Sequence, residues 1–306
     1  MQTIRFILFV LFLHSHAWAI TIATGSPEGT YYKIAQDVKR LAEKEGIPVE
    51  IISTNGSFDN VNLLGAGKVD LAIVQLDVLK VVAEIMRKEA GFNVFEQAKV
   101  VLNLYPEEVH VITKNESIRS LYQLEGKKVA VGPEKSGSAM TAEVLLSGYD
   151  LRVEAVFDAP GEALNKLNNQ QIDAIIFIGG APVPAFQNLD KSFFLVRLPA
   201  NAVLEQIYRR KKIGPADYSW AEASETYVVP SVILTRERND RDYVITLQKL
   251  VMTILLNKEY LDSTGHPKWK SSFIRSVIDG AGYRPTNEII QIFNVLDSNG
   301  YRIIKK

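Results

Sequence analysis

The chain of 306 residues contains no cysteine. That excludes disulfides, thiolate metal ligands and a thiol nucleophile. It also leaves no residue for lipid attachment at a processed N-terminus. Histidine is nearly as scarce: His14 and His16 lie in an N-terminal stretch expected to be removed, which leaves His110 and His266. A transition-metal site needs several His, Cys or carboxylate ligands close together, and the sequence offers no such grouping. His110 follows Pro106, Glu107 and Glu108 in a strand-like run, and His266 sits in a Gly-His-Pro turn. Both read as structural. A Ser-His-Asp arrangement through His110 stays open on composition alone, without a G-x-S-x-G elbow to support it.

An excess of one charge is missing too. Lys plus Arg and Asp plus Glu number 35 each, for a formal net charge of +0. No basic stretch has the extent of a nucleic-acid footprint, and Arg209 to Lys212 reads as a solvated helix end. Neither G-x-x-x-x-G-K-[ST] nor G-x-G-x-x-G occurs. No paired carboxylates stand in a frame that demands general acid–base chemistry. These absences leave binding better supported than catalysis.

No apolar run is long enough to span a bilayer, which takes about 20 residues. The longest at the N-terminus, Phe6–Leu13, has eight residues, follows Arg5, and precedes Ala17-Trp18-Ala19. This is the pattern of a cleavable secretory leader over 1–19, cut after Ala19. An unanchored, exported chain without cysteine fits a Gram-negative periplasm. Apolar residues make up 47% of the chain, enough for a substantial core.

Beyond the leader, strand and helix patterns alternate. Ile20–Ala23 reads as a strand, 30–45 as a helix, 49–53 as a strand and 58–66 as a helix with Ser57 as its N-cap. Residues 68–75 form a nearly continuous apolar run, the mark of a strand covered on both faces. A helix over 76–88 and a long extended run over 100–113 follow. The pattern then restarts with a strand at 127–131, a helix at 138–147, a strand at 151–157, a helix opened by Pro160 and a strand at 171–178. Gly67-Lys-Val-Asp-Leu-Ala-Ile-Val74 resembles Gln170-Gln-Ile-Asp-Ala-Ile-Ile-Phe177, with Asp70 and Asp173 in the same place; both aspartates read as structural. A second extended run, 227–235, precedes helices expected at 240–257, 267–279 and 286–298.

The expectation is an α/β chain of two βαβαβ units. The runs at 100–113 and 227–235 cross between them as a hinge. One lobe takes 20–110 plus 232–306 and the other takes 111–231. Two lobes on two crossing segments form a clamp.

Small-residue loops recur where strands empty into helices. Unpaired helix N–H groups and the positive end of the helix dipole make such places receptive to anions. The first loop supplies Gly25, Ser26, Gly29, Thr30 and Tyr31; the second supplies Thr54, Asn55, Gly56 and Ser57. Gln75 and Asp77 end the third strand, where either could reach a ligand and Asp77 could equally cap the next helix. Ser136, Gly137 and Ser138 would face the second loop from the other lobe.

Read in order, TGSPEGTYY, STNGSFDNVNLLGAGKVDLAIVQLDV, LYPEEVHVI, LEGKKVAVGPEKSGS and IDAIIFIGGAPVP resemble the TAXI branch of TRAP-transporter solute receptors. The similarity covers nearly all of the expected mature chain. It implies a type II periplasmic-binding-protein fold, with two α/β lobes and no catalytic activity, cofactor, metal or nucleic acid. It further implies a monomer that carries a small organic anion or amino acid, of the glutamate, glutamine-like or dicarboxylate kind, to a TRAP-type permease. The residues of the three loops and Gln75 match the family's binding segments, and Gly180, Ala181 and Pro182 match its last cleft segment. The chain departs at Pro27-Glu28, where the family often has Gly-Gly, and at Glu134-Lys135, where it has smaller residues. Glu28 facing a ligand ammonium and Lys135 facing a ligand carboxylate would favour an amino acid; the plainer reading turns both to solvent. The same fold feeding a sensor kinase or another transporter type, or carrying an enzyme, are the alternatives.

Overall fold

In the computed structural model residues 19–90 and 98–272 are described. The expected leader up to residue 18, the expected helix at 286–298 and most of the one at 267–279 lie outside the described residues.

The first unit runs β1 (Ile20–Ala23), α1 (Thr30–Lys44), β2 (Val49–Ile52), α2 (Ser57–Gly65), β3 (Leu71–Gln75) and α3 (Leu76–Ala90). In α1, Tyr31, Ile34, Ala35, Val38, Leu41 and Ala42 are buried, the spacing of a single apolar stripe. All five residues of β3 are buried, as a strand covered on both faces requires. The long β4 (Ala98–Thr113) leads to the second unit, made of β5 (Lys128–Ala130), α4 (Gly137–Gly148), β6 (Glu154–Val156), α5 (Pro160–Asn168) and β7 (Ala174–Gly179). Short β8 (Phe194–Leu195) and β9 (Arg209–Ile213) precede β10 (Ser224–Arg236), which returns to the first unit before α6 (Arg241–Leu256), α7 (Lys258–Thr264) and a 3-10 turn at Pro267–Ser271.

The strands join in one sheet ordered β2-β1-β3-β10-β4-β7-β5-β6. Each half repeats the other. β1 lies parallel to β2 and β3, with β10 antiparallel at the inner edge. β5 lies parallel to β6 and β7, with β4 antiparallel at the inner edge. The apolar clusters divide along the same line. Two draw on residues between Ile20 and Tyr105 together with Val232 to Trp269, and two draw on residues between Val109 and Val229. The chain therefore has the two-lobed type II architecture, with β4 and β10 as the crossing strands.

Those strands pair antiparallel, and midway Pro106 stands opposite Pro230. Neither proline has an N–H to donate, so the ladder lacks a rung there. A register shift follows between Pro230 and Val232. Ser231 fills the gap, its hydroxyl donating to the Tyr105 carbonyl at 2.7 Å. This interrupted rung coincides with the passage from lobe to lobe.

Two local expectations are corrected. Gly56, at φ 118°, is the N-cap of α2, and Ser57 is its first helical residue; that positive φ suits glycine alone. The Arg209–Lys212 cluster is the body of β9, paired with β10, and not a helix end. A strand next to a crossing strand can send a lysine to the hinge, which a solvated helix end could not.

Candidate functional site

The two lobes meet at the N-terminus of α4. Ser136 caps this helix, its hydroxyl accepting from the Ala139 N–H at 3.1 Å. Gly137 then rests on the first lobe so closely that a Cβ there would fall 1.6 Å from Gln75 Oε1 and 2.9 Å from Ser57 Oγ. The Gly137 nitrogen also lies 3.8 Å from the position a Cβ on Gly56 would take. The second loop, the end of β3 and the Ser136–Ser138 loop thus come together, and the lobes are closed on one another.

Most of the expected hydroxyls are already engaged in holding loops. Ser57 Oγ accepts from the Gln75 N–H at 3.0 Å and lies 3.3 Å from Gln75 Oε1. Ser138 Oγ bonds both backbone groups of Ile178 on β7. Thr54 Oγ1 lies 2.6 Å from the Thr24 carbonyl and accepts from the Gly56 N–H. Asn60, which sequence reasoning passed over, is fully buried and donates to the carbonyls of Thr24 and Ile73, clamping the first two loops. Asn55 pairs with Asp59 at the surface. Gly25 and Thr30 are half-buried, and Ser26 is exposed, its carbonyl closing a turn with the Gly29 N–H. Glu28 and Lys135 are both exposed.

Asp77 does two things at once. It caps α3 by accepting from the Val78 N–H at 2.8 Å. Its other oxygen accepts from Thr141 and Tyr208 of the second lobe, each at 2.7 Å. Burial raises its pKa, and these hydrogen bonds oppose the rise. Its carboxylate is committed to the contact between lobes.

Beneath this contact lies a polar group that the sequence reading did not single out. On β4, Tyr105 and Glu107 point to one face, because side chains alternate along a strand. The Tyr31 hydroxyl comes from α1 to lie buried beside Ser57 and Glu107, without a close hydrogen bond to either. The Tyr105 hydroxyl and Gln75 Nε2 are also buried without partners. Buried polar atoms are paired in folded proteins almost without exception, so these poorly satisfied groups near the lobe contact stand out. Burial pushes the Glu107 pKa up to about 8, well above the usual carboxylate range.

Glu108, on the opposite face of β4, behaves differently. Lys268 reaches it at 2.9 and 3.1 Å, Lys211 of β9 pairs with it, and the Ala181 N–H donates at 2.6 Å. Burial alone would raise its pKa, but the two lysines outweigh burial and hold it below the usual value. Lys268 is placed by the 3-10 turn, which Asp37 of α1 secures by accepting from the His266 N–H and Trp269 Nε1 at 2.7 and 2.8 Å. Its stem packs on Gly180, where a Cβ would fall 2.5 Å from Lys268 Cε. Gly180, Ala181 and Pro182 therefore serve the charged node at the hinge; the Ala181–Pro182 peptide is cis.

The histidines have structural partners. His110 is buried, 2.7 Å from the Tyr218 hydroxyl, and burial lowers its pKa to about 4. His266 accepts from the Lys268 N–H within its own turn. Among the described residues no group of three or more His, Cys, Asp or Glu is placed to hold a metal ion, and no helix is long and apolar enough to cross a membrane.

The signal that could have found the site is the adjacent pair Glu107-Glu108 inside the buried, mostly apolar run of β4. Adjacent carboxylates in a central strand point to opposite faces, and each must be met by a partner or a ligand.

The chain belongs to the NMT1-like family, whose pattern matches residues 22–281. It is similar in structure to a protein described as a periplasmic transporter, with a TM-score of 0.53 and 14% identity, over 93% of this chain and 98% of that one. It is also similar to Tv2483, solved bound to L-arginine, with a TM-score of 0.50 and 14% identity, over 83% of this chain and 91% of that one. At such identities the likeness is one of fold.

Proposed function

We propose that this member of the NMT1-like family is a periplasmic solute receptor. It binds a small carboxylate-bearing solute, of the glutamate, glutamine-like or dicarboxylate kind, between its lobes and presents the closed form to a TRAP-type permease. One observation carries the reading: α4 of the second lobe seats on Gln75 and Ser57 of the first, over three buried polar atoms that have no protein partner. A clamp that closes over unmet hydrogen-bonding groups gains most from a solute that meets them. Closure then follows from the solute's preference for the closed state.

In this reading the lobes divide at 110/111 and 231/232, close to the Pro106–Pro230 rung. Gly56, Ser57, Gln75 and Gly137 form the meeting surface, and Tyr31 lies at its floor. Gly25, Ser26, Gly29, Thr30, Thr54 and Asn55 form the outer rim. The protein carries out no catalysis and is exported by the N-terminal leader. A sensor kinase in place of the permease would use the same clamp.

The test is mass spectrometry of small molecules released from the purified protein, followed by small-angle scattering with and without them. A released carboxylate that binds again and shrinks the radius of gyration is the expected result. Turnover of the released compound, or binding without compaction, would overturn the reading.

A further inference from the structure

We propose that the second lobe carries a further binding site, outside the interlobe cleft, for a small acid with an aromatic body and a phosphate, sulfonate or carboxylate head. The inference goes beyond the receptor reading and does not depend on it.

A cavity of about 490 Å³ opens on this lobe, within the size range of small-molecule sites. Every residue that lines it falls between Arg119 and Glu225. Phe194 and Leu195 of β8 form part of its wall, and β8 pairs with Ile112 and Thr113, at the end of β4 remote from Pro106. Movement of one lobe against the other therefore leaves the cavity intact. Phe193, Leu195 and Trp220 are buried and supply an apolar floor. Trp220 is fixed there by donating its Nε1–H to the Phe186 carbonyl at 2.7 Å.

The rim is cationic. It holds Arg119, Lys191, Arg197 and Lys212 against two carboxylates, Glu222 and Glu225. Backbone bonds set the two arginines side by side: the Arg197 N–H donates to the Arg119 carbonyl at 3.1 Å, and the Arg197 carbonyl accepts from the Leu121 N–H at 3.0 Å. The Arg119 guanidinium lies over the Phe194 ring, 3.9 Å from its centroid. Lys191 donates to the Ser219 carbonyl at 3.0 Å. Lys212 stands opposite Glu225 across β9 and β10, but Glu225 pairs with Arg210 at 2.6 Å instead. Among the described residues the side chains of Arg197 and Lys212 make no ion pair or hydrogen bond. Four cations thus face one uncommitted carboxylate, Glu222. A concave surface dominated by one sign of charge concentrates ions of the other.

Ser224 supplies the second, independent observation. It lines the cavity, is only 9% exposed, and its hydroxyl is buried without a partner in the protein. Buried hydroxyls are normally paired, and an anion held by the cations would offer the oxygen this one lacks. A bare anion would meet the cations and the hydroxyl but leave the apolar floor uncovered. An uncharged aromatic would cover the floor and leave the cations unmatched. The two halves together select an aromatic acid.

The experiment is a fluorescence titration of the full-length mature protein, excited at its tryptophans. With Trp18 lost in the leader, Trp220 and Trp269 remain, and Trp269 is buried in the first lobe's core. Phenyl phosphate is the probe; inorganic phosphate and phenol each carry one half of it. Phenyl phosphate should change the emission, bind at least about tenfold more tightly than either half, and weaken as salt is raised. Trp220→Phe should remove the signal. Arg197→Ala and Lys212→Ala should each weaken binding about tenfold, and Ser224→Ala severalfold, the ranges for charged and neutral hydrogen bonds. Melting curves confirm that the variants fold. The radius of gyration should stay the same with and without phenyl phosphate, since the site lies within one lobe.

No response to phenyl phosphate at millimolar concentration overturns the proposal. So does affinity unchanged in both Arg197→Ala and Lys212→Ala, or inorganic phosphate binding as tightly as phenyl phosphate. Compaction on binding would place the probe in the cleft and overturn the separate site, leaving the receptor reading standing.

Discussion

Asp77 in the first lobe accepts a 2.7 Å hydrogen bond from the Thr141 hydroxyl in the second. With the matching bond from Tyr208, it makes a buried carboxylate the latch between the lobes. A charge-assisted hydrogen bond of this kind contributes about 1.5–3 kcal/mol when both groups are desolvated. It exists only while the clamp is shut. Thr141→Val should therefore raise the solute Kd about tenfold or more, leave each lobe folded, and increase the radius of gyration of the free protein in scattering. An unchanged Kd would show that the latch does not favour closure.

Gly137 is the tightest point of the lobe contact. A Cβ there would lie 1.6 Å from Gln75 Oε1. Gly137→Ala should cost roughly 1–3 kcal/mol of closure, the usual price of overpacking, and so weaken binding about 10- to 100-fold. Melting temperature without solute should fall only modestly, because the clash is relieved when the lobes part while each lobe stays folded. Calorimetry and thermal melts on the same sample separate these outcomes.

Glu107 should leave its mark on stability. Its pKa is about 8 in the closed protein, against an ordinary 4.5. Between those values the native state keeps a proton that the unfolded chain has lost, so this group's contribution to stability falls as pH rises from about 4.5 to about 8. Glu107→Gln removes that slope, with the gap to wild type changing by roughly 3–5 kcal/mol across the window. Urea denaturation at pH 5 and pH 8 measures it. Parallel profiles for the two proteins would mean that Glu107 is solvated.

Glu108 has the opposite sign. Its depressed pKa means that its stabilisation is present above the ordinary 4.5 and is lost as pH falls through the native value. Lys268→Met should destabilise by about 3–5 kcal/mol, the usual cost of leaving a buried charge without its partner. The effect is expected at the lower end, because Lys211 and the Ala181 N–H still hold Glu108. Adding Glu108→Gln should recover part of the loss, as read from denaturation midpoints.

Glu28→Ala and Lys135→Ala should each leave solute affinity within about twofold, since exposed charges interact weakly through water. A larger change in calorimetry would put one of them in contact with the solute.

Much of the architecture was legible in the residues. Ile20–Ala23 coincides with β1, the apolar run at 68–75 contains the fully buried strand Leu71–Gln75, and the parallel between Gly67–Val74 and Gln170–Phe177 reflects matching half-sheets. Strand periodicity and helix stripes are local properties of the chain, so a linear reading recovers them. The small-residue loops were legible for the same reason, because glycine and serine at strand ends carry their backbone requirements with them.

The site was legible only in part. Ser57, Gln75 and Gly137 were named from their loops, but nothing local says that Ser57 would be turned inward onto Gln75, or that Asp77 would latch the other lobe. Arg209–Lys212 looked like a solvated charge run until its pairing with β10 sent Lys211 to Glu108. Lys268 stands 160 residues from Glu108 in sequence. Its role depends on Asp37 holding a C-terminal turn against α1.

The sequence by itself therefore determined two repeated α/β units, their crossing strands and the loops that meet between them, because those follow from periodicity and turn chemistry. Only the tertiary structure decided which charges neutralise one another. Glu107 and Glu108 are neighbours of identical chemistry. The pleat of β4 sends one to two lysines and leaves the other among tyrosines, and a side chain's charge state is set by its three-dimensional surroundings.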